Sequence, residues 1–145
     1  GRRHVSTVLL DTNAALEAHV LQVLRPVLGE SNLAFPNVAF TPTQGTPWAR
    51  MDHLPAKTSA ASAGVNGLTL HPGILQVSLF FPLGNGAGAS LQAAQALCDG
   101  FKRGTSLSRG DTAVRVESVS RGPGMRDEGW WHTPVSVLWW VHTVD

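Results

Sequence analysis

The segment from Pro72 to Gly104 constrains the fold most, because it contains a strand pattern, a glycine-rich turn and a helix pattern in succession. From Leu75 to Phe81 apolar residues occupy alternate positions, which is the period-two pattern of a β-strand with one buried face. From Ser90 onward the spacing becomes helical, with the apolar positions at Leu91, Ala94, Leu97, Cys98 and Phe101. The segment therefore predicts a strand and an amphipathic helix joined by a short turn.

The turn itself, Gly84 to Ala89, matches the letters of the dinucleotide-binding fingerprint G-x-G-x-x-[GA]. A dinucleotide site also needs a parallel strand after the helix and an acidic residue about 20 positions on, and neither Asp99 nor Asp111 stands there. The simpler interpretation is that the glycines adopt positive φ in a tight turn and that Asn85 or Ser90 caps the helix. A small nucleotide-binding enzyme that uses this turn stays an alternative.

The length and charge of the chain bound its class. Its 145 residues predict one domain, 1–145, with its own core. Hydrophobic residues make up 43% of it and charged residues only 14%, against about a quarter in typical globular proteins. With so few charges to solvate the surface, part of that surface is expected to be buried against other subunits. The net charge of +1 argues against a dedicated nucleic-acid binder, which carries a clustered basic face.

Cys98 is the only cysteine, so the chain cannot form an internal disulfide. Its place among the apolar positions of the helix predicts a packing residue in a reducing compartment. No apolar run approaches the roughly 20 residues of a membrane span, and Val5 to Leu10 is too short for a signal peptide. We therefore expect a soluble, intracellular chain with no membrane partner.

Two helices are predicted, one on each side of the strand at Leu75 in the sequence. The first runs from about Ser6 to Arg25, and Pro26 and Gly29 are expected to end it. The second carries the basic pair Lys102-Arg103 at its C-terminus, and Gly104 is expected to end it.

Alternation and turn residues predict further strands and two long loops. The strands are Val38–Phe40 at a sheet edge, Trp48–Leu54, Thr105–Leu107, Ala113–Val119 with Val114 and Val116 inward, and Trp131–Val141. The loops are Lys57–Gly67 and Arg121–Gly129. This order predicts an α+β fold, a mainly antiparallel β-sheet with two α-helices packed on one face.

The doublets Trp130-Trp131 and Trp139-Trp140 bear on the face of the sheet that the helices leave open. In an extended chain each doublet sends one indole to each side, so one of each pair points away from the helices. Tryptophan is enriched in interfaces and also stacks on sugars and bases, so the doublets alone do not choose a partner. Ordinary core packing of all four indoles stays an equal alternative.

No catalytic constellation emerges from the residues. The six histidines never fall at metal-ligand spacing, and neither H-E-x-x-H nor C-x-x-C occurs. Asp52-His53 is the one acid–base pair worth testing, but neighbours in a strand point to opposite faces and cannot readily form a dyad. We therefore predict no catalytic residues, no metal ligands and no cofactor.

Several short runs, in order and spacing from about Ala14 to Val141, resemble the bacteriophage tail terminator proteins of long-tailed phages. They are Asn37-Val-Ala-Phe-Thr-Pro, Gly45-Thr-Pro-Trp, Leu54-Pro-Ala, Gly73-Ile-Leu-Gln-Val-Ser-Leu-Phe-Phe-Pro with the turn after it, Phe101-Lys-Arg-Gly-Thr, Gly122-Pro-Gly and Pro134-Val-Ser-Val. The chain departs from the family pattern at its longer N-terminus, Gly1 to Thr12, and in its tryptophan-rich last strand.

The resemblance implies a structural protein of the virion, located in the tail or neck and assembled in the cytoplasm of the bacterial host. Tail terminators form a ring, typically a hexamer, on the last ring of tail-tube subunits. The ring stops polymerisation of the tube and presents a surface to the head–tail connector, or stopper, protein. Its expected partners are other copies of this chain, the tail tube protein and the connector, and DNA passes transiently through the central hole.

Composition and position then nominate contact residues for such a ring. Subunit contacts are expected at Trp48, Trp130, Trp131 and Trp140, and contacts to the tube or connector at Lys57, Asn66, Arg121, Met125 and Arg126. Another neck component, such as a head-completion or adaptor protein, stays an alternative to the terminator. It would share the virion setting but bind the portal side.

Overall fold

The computed structural model describes residues 5–56 and 68–144. Over these ranges the backbone forms two α-helices, seven strands and one 3-10 turn at Glu30–Asn32. The helices and strands are α1 (Val5–Leu28), β1 (Leu33–Ala34), β2 (Trp48–Pro55), β3 (Leu68–Pro82), α2 (Gly88–Gly100), β4 (Ser106–Arg109), β5 (Thr112–Arg121), β6 (Met125–Asp127) and β7 (Trp130–Val144). Within the described ranges, no helix combines the length and the apolar character that a membrane crossing requires.

The two long strands β3 and β7 form the centre of one sheet. They pair antiparallel from Leu68 opposite Val144 to Pro82 opposite Trp130. The strand order is β1-β2-β3-β7-β5-β4, and β6 also pairs with β7. Every neighbouring pair is antiparallel except β1 with β2, which is parallel. The predicted α+β class with a mainly antiparallel sheet is confirmed.

Alternation along the central strands decides which side chains enter the core. Leu75, Val77 and Leu79 of β3 and Val135 and Val137 of β7 point to one face and are fully buried. We call this the helix face, because both helices cover it and complete the same core with Leu16, Val20, Leu24, Ala93, Ala94 and Leu97. Burial of these side chains is the main favourable term in folding.

The tryptophan doublets divide between the two faces of the sheet. Trp139 is 6% exposed and belongs to the core of the helix face. Trp130 packs instead beside Phe80 and Trp48 in a separate buried cluster on the opposite side, which we call the outer face. The division follows from the period-two geometry that the sequence predicts.

Gly73 makes room for Trp139 in the neighbouring strand. The two residues are opposite each other in the pairing of β3 with β7. A Cβ atom at Gly73 would lie 2.1 Å from Cζ2 of the indole, which is shorter than any ordinary contact. The indole therefore lies across the glycine, and the close approach explains a glycine inside a central strand.

The end of α1 differs from the prediction. Pro26 lies inside the helix, which continues to Leu28. Gly29 follows with φ of 82°, and its N–H donates to the carbonyl oxygen of Arg25 over 2.9 Å. A proline in the last turn lacks one donor, yet the neighbouring helical bonds persist, so the left-handed glycine and not the proline ends α1.

The predicted edge strand Val38–Phe40 is wrong. These residues are not extended in the sheet, since a turn bonds the N–H of Val38 to the carbonyl oxygen of Phe35, and Asn37 has φ of 56°. The Phe40 ring packs on Trp48 with 5.3 Å between centroids, so side-chain packing replaces backbone pairing here. The edge position is taken by β1, which lies earlier in the chain.

The ends of α2 also differ. The helix begins at Gly88 and ends at Gly100, before the basic pair Lys102-Arg103. The residue before it is Ala87, and no side chain caps the helix; the Ser90 hydroxyl donates to the carbonyl oxygen of Ala87 over 2.9 Å instead. Gly104 has φ of 89°, but its N–H donates to the carbonyl oxygen of Val116 in β5 and not to a carbonyl of α2. Gly104 therefore turns the chain into the sheet and does not end the helix.

The remaining differences concern strand boundaries. The strand predicted at Thr105–Leu107 lies at Ser106–Arg109 instead. The predicted loop Arg121–Gly129 contains the short strand β6. The strands predicted at Trp48, Leu75, Ala113 and Trp131 are present and extend further at one or both ends, and Val114 and Val116 are buried as predicted. The predicted loop Lys57–Gly67 lies outside the described residues.

Candidate functional site

The outer face carries an aromatic cluster at the end of the sheet where β2 begins. Its members are Phe40, Trp48, Phe80, Trp130 and His132. Phe80 is stacked between Trp48, at 4.2 Å between centroids, and His132, at 4.7 Å. Trp130 meets Trp48 edge to face at 6.0 Å. Such offset and perpendicular pairs are favourable beyond the area that they bury, so the cluster fixes this end of the face.

His132 is the one titratable ring of this cluster. Burial lowers the pKa of its imidazole, and the positive charge of Arg50 acts in the same direction, while Asp127 opposes them. The nearest Asp127 oxygen is 3.7 Å from Nδ1, which is too long for a hydrogen bond. Nε2 of His132 and Nε1 of Trp48 are buried with no hydrogen-bond partner in the described part of the chain.

Further along the outer face, three apolar side chains form one row across the sheet. The pairing register places Leu54 of β2 opposite Ile74 of β3, and Ile74 opposite Leu138 of β7. Leu54 is 41% exposed and Leu138 is 40% exposed. We call Leu54, Ile74 and Leu138 the apolar row; it is the uncovered hydrophobic part of the face.

Trp140 extends this apolar surface toward the end of β7. It contacts His142, with ring centroids 4.8 Å apart, and the Arg115 guanidinium lies 6.0 Å from its ring. Its side chain is only half buried. Trp140 and Trp130 are both even-numbered residues of β7, so they lie on the same face. About ten residues of strand, on the order of 30 Å, separate them.

Trp131 belongs to a different surface, on the helix side of the sheet. Two shallow grooves of about 200 and 260 Å³ flank its indole. The Gly84–Ala89 turn lines one groove, and the chain from Arg121 to Gly124 lines the other. Gly124 lets the indole lie close, because a Cβ there would be 2.5 Å from the ring.

The nominated contact residues thus fall in three places. Trp48 and Trp130 are brought together in the aromatic cluster, Trp140 lies on the same face near the apolar row, and Trp131 lies on the other side. Arg121 and Arg126 are exposed and line the Trp131 grooves, whereas Met125 is exposed opposite His132 in the pairing of β6 with β7. Lys57 and Asn66 lie outside the described residues. The contact roles of all nine residues stay predictions.

Sequence reasoning missed Phe80, His132 and the apolar row as members of the outer face. Phe80 is the large even-numbered residue in the alternating strand, on the face opposite the buried one. Its contact with Trp48 depends on the register of β2 against β3, which no local pattern specifies. The even-numbered apolar residues Leu54, Ile74 and Leu138 were the available signal.

The acid–base pair is separated as predicted. Asp52 accepts a hydrogen bond from Arg50 over 3.1 Å, and His53 pairs with Glu17 of α1 over 2.7 Å. Cys98 packs against the core, and burial raises the pKa of its thiol, which disfavours the reactive thiolate. In residues 5–56 and 68–144, no group of three or more His, Cys, Asp or Glu side chains is arranged to hold a metal ion.

The Gly84–Ala89 turn lacks the setting of a dinucleotide site. It joins β3 to α2, but both neighbours of β3, β2 and β7, are antiparallel to it. The strand after α2 is β4, at the far edge of the sheet. The fingerprint needs a parallel βαβ unit, so its letters here reflect a turn in which Gly84 and Gly86 have positive φ.

Two solved structures share this fold. One, which carries no functional name, is 26% identical, covers 90% of this chain and 92% of its own, and superposes with a TM-score of 0.71. The other is a chain of the "Virion of native gene transfer agent (GTA) particle", 19% identical, with 91% and 96% covered and a TM-score of 0.52; this likeness shows the fold alone. No curated protein matches the chain significantly.

A family model described as phage tail terminator protein matches residues 11–139. The match includes both helices in large part, the whole outer-face cluster and the Trp131 grooves, so it covers the architecture and not one motif. The chain therefore belongs to the phage tail terminator protein family, a family of structural proteins of the phage tail.

Proposed function

We propose that this protein, as one domain over residues 1–145, forms a closed ring, most simply a hexamer, that caps the phage tail tube. The ring ends polymerisation of the tube and joins the tail to the head connector. Membership of the terminator family supports this role. One protein of similar fold is a chain of a virion particle, which agrees with this role.

The uncovered outer face is the observation that carries the proposal. The helices bury one face of the sheet, while the apolar row and Trp140 remain partly exposed on the other. A ring with cyclic symmetry needs two different complementary patches on each subunit. The outer face supplies an apolar surface for one of these patches. Its burial in a ring would explain how a chain with so few charged residues avoids exposing a large apolar surface to water.

The Trp131 surface is the proposed contact with the tube or the connector. It gathers exposed Leu83 and Leu91 beside Arg121 and Arg126 at one end of the sheet. Exposed apolar residues with a polar rim are typical of a docking site between proteins. DNA that passes through the hole requires only weak, nonspecific contact with the ring. Assembly takes place in the host cytoplasm before the tail joins the head.

Electron microscopy of the purified protein, alone and mixed with tail tubes that lack a terminator, tests the proposal. We expect rings, and tubes that carry a cap at the end opposite the tail tip and no longer elongate when tube protein is added. Caps on portal complexes but not on tubes would favour a head-completion or adaptor role. A monomer that binds neither would refute both.

A further inference from the structure

Both edges of the sheet have backbone positions without a strand partner among the described residues. At one edge, β5 is the one strand of the described ranges that pairs with β4. At the other edge, β1 covers Ala49 and Arg50 of β2, and no strand within residues 5–56 and 68–144 lies beside Asp52 to Pro55. The chain turns away after β1, because Asn37 has positive φ and the Val38 N–H bonds back to Phe35. Open edges of this kind can pair with another chain.

The hydrogen bonds of β4 show which of its backbone groups point outward. The N–H of Val116 donates to the carbonyl oxygen of Thr105, so Thr105 and Val116 occupy a hydrogen-bonded position of the ladder. Because such positions alternate, Leu107 and Arg109 also bond inward to β5. The N–H and carbonyl groups of Ser106 and Ser108 therefore point away from the sheet.

The space beside β4 suits an added strand. A groove of about 250 Å³ lies between β4 and α1, where Ala15 and Ala18 have small side chains. His19 and Gln22 form the rest of the helical wall. Addition of an extended segment to an exposed strand edge is an established mode of recognition.

The directions of the two edges fit a ring. Four antiparallel steps lead from β2 through β3, β7 and β5 to β4, so β2 and β4 run in the same direction. Rotation about a cyclic axis preserves direction along that axis, so β4 of one copy meets β2 of the next in parallel. The outer edge of β2 already accepts one parallel strand, β1, and about four further positions from Asp52 to Pro55 match the four residues of β4.

We infer that β4, Ser106–Arg109, of one copy pairs in parallel with the outer edge of β2, Asp52–Pro55, of a second copy of this chain. The sheets of neighbouring subunits then form one continuous layer around the ring. The pairing places Ser106 and Ser108 on the same face as Asp52 and Leu54, since Ser106 is opposite Arg115, the partner of Trp140 on the outer face. This inference rests on the proposed ring and names the edges that close it.

Ser108→Pro is the decisive variant, with Ser108→Ala as its matched control. Proline removes the outward N–H of Ser108, while the inward bonds of Leu107 and Arg109 to β5 remain. We expect Ser108→Ala to give the wild-type ring mass by light scattering, with or without tail tubes. Ser108→Pro is expected to be a monomer at the concentrations at which the wild type forms rings, with an unchanged far-ultraviolet circular dichroism spectrum. A folded Ser108→Pro protein that still forms wild-type rings would overturn the inference.

Cross-linking provides a second test that does not depend on the proline. In a Cys98→Ala background, Asp52→Cys is combined with Ser106→Cys or with Ser108→Cys, because neighbouring strand positions on one face are close enough for a disulfide. At least one combination is expected to give a ladder of linked subunits on a non-reducing gel, and the three single-cysteine proteins are not. Rings without a ladder in either combination would reject these edges but leave the proposed function intact. A wild-type protein that forms no ring, even with tubes, would reject the proposed function itself.

Discussion

At the scale of single residues, the packing of Trp139 depends on the missing side chain of Gly73. We expect Gly73→Ala to lower the free energy of unfolding by about 1–3 kcal/mol, because the new methyl group would overlap the indole. Gly88→Ala is the matched control: nothing lies within 4 Å of its added Cβ and its φ is not positive, so it should be neutral or stabilising by about 0.4–1 kcal/mol. Urea unfolding of both variants measures the difference, and equal values would contradict the close approach.

His132 gives a second prediction at this scale, on pH dependence. Burial lowers the pKa of its imidazole from the ordinary 6.5, so as the pH falls below that value the unfolded chain takes up a proton at this site before the folded chain does. Its contribution to stability is therefore complete above about pH 6.5 and is lost as the pH falls below that value. His132→Phe should reduce the fall in melting temperature between pH 7.5 and pH 5, measured by circular dichroism. His142→Phe, an exposed site on the same face, should not.

At the scale of secondary-structure elements, the proline in the last turn of α1, Pro26, is expected to lower the stability of the helix. We expect Pro26→Ala to raise the free energy of unfolding by roughly 1 kcal/mol, because alanine restores a donor to the carbonyl oxygen of Gln22 and relieves the ring clash. Arg25→Ala is the control, since its ion pair with Glu30 is exposed and contributes little. Chemical denaturation measures both. A less stable Pro26→Ala protein would mean that the proline fixes the path into β1.

The same elements show what the sequence can and cannot specify. Periodicity predicted the central strand and both helices, and it assigned Val114 and Val116 to the core correctly, because burial imposes a period on each element. It failed at Val38–Phe40, where the Phe40 ring packs on Trp48, and at Pro26, where the helix tolerates a proline near its end. The aromatic cluster and the apolar row depend on strand register, which arises only when the strands meet.

At the scale of the whole molecule, two adjacent residues on opposite faces of the sheet are expected to affect different properties, one the stability of the fold and the other assembly of the ring. Trp139 lies in the core and Trp140 is half exposed on the outer face, so the two indoles of one doublet have different neighbours. Trp139→Ala should lower the free energy of unfolding by about 3–5 kcal/mol, because it leaves a cavity. Trp140→Ala should leave the fold nearly unchanged but weaken ring formation at least tenfold in subunit concentration, because it removes an aromatic side chain from the proposed subunit interface.

Light scattering over a dilution series measures the ring, and urea unfolding at monomeric concentrations measures the fold. We expect Trp139→Ala to lose stability and Trp140→Ala to lose assembly.

Wild-type ring mass for Trp140→Ala at every concentration would remove this part of the outer face from the interface. The edges β2 and β4 would then have to close the ring without it, and the double variant Ser108→Pro/Trp140→Ala would assemble no worse than Ser108→Pro alone. If both surfaces contribute, each single variant retains some association at high concentration and the double variant loses it, because separate contacts add in free energy.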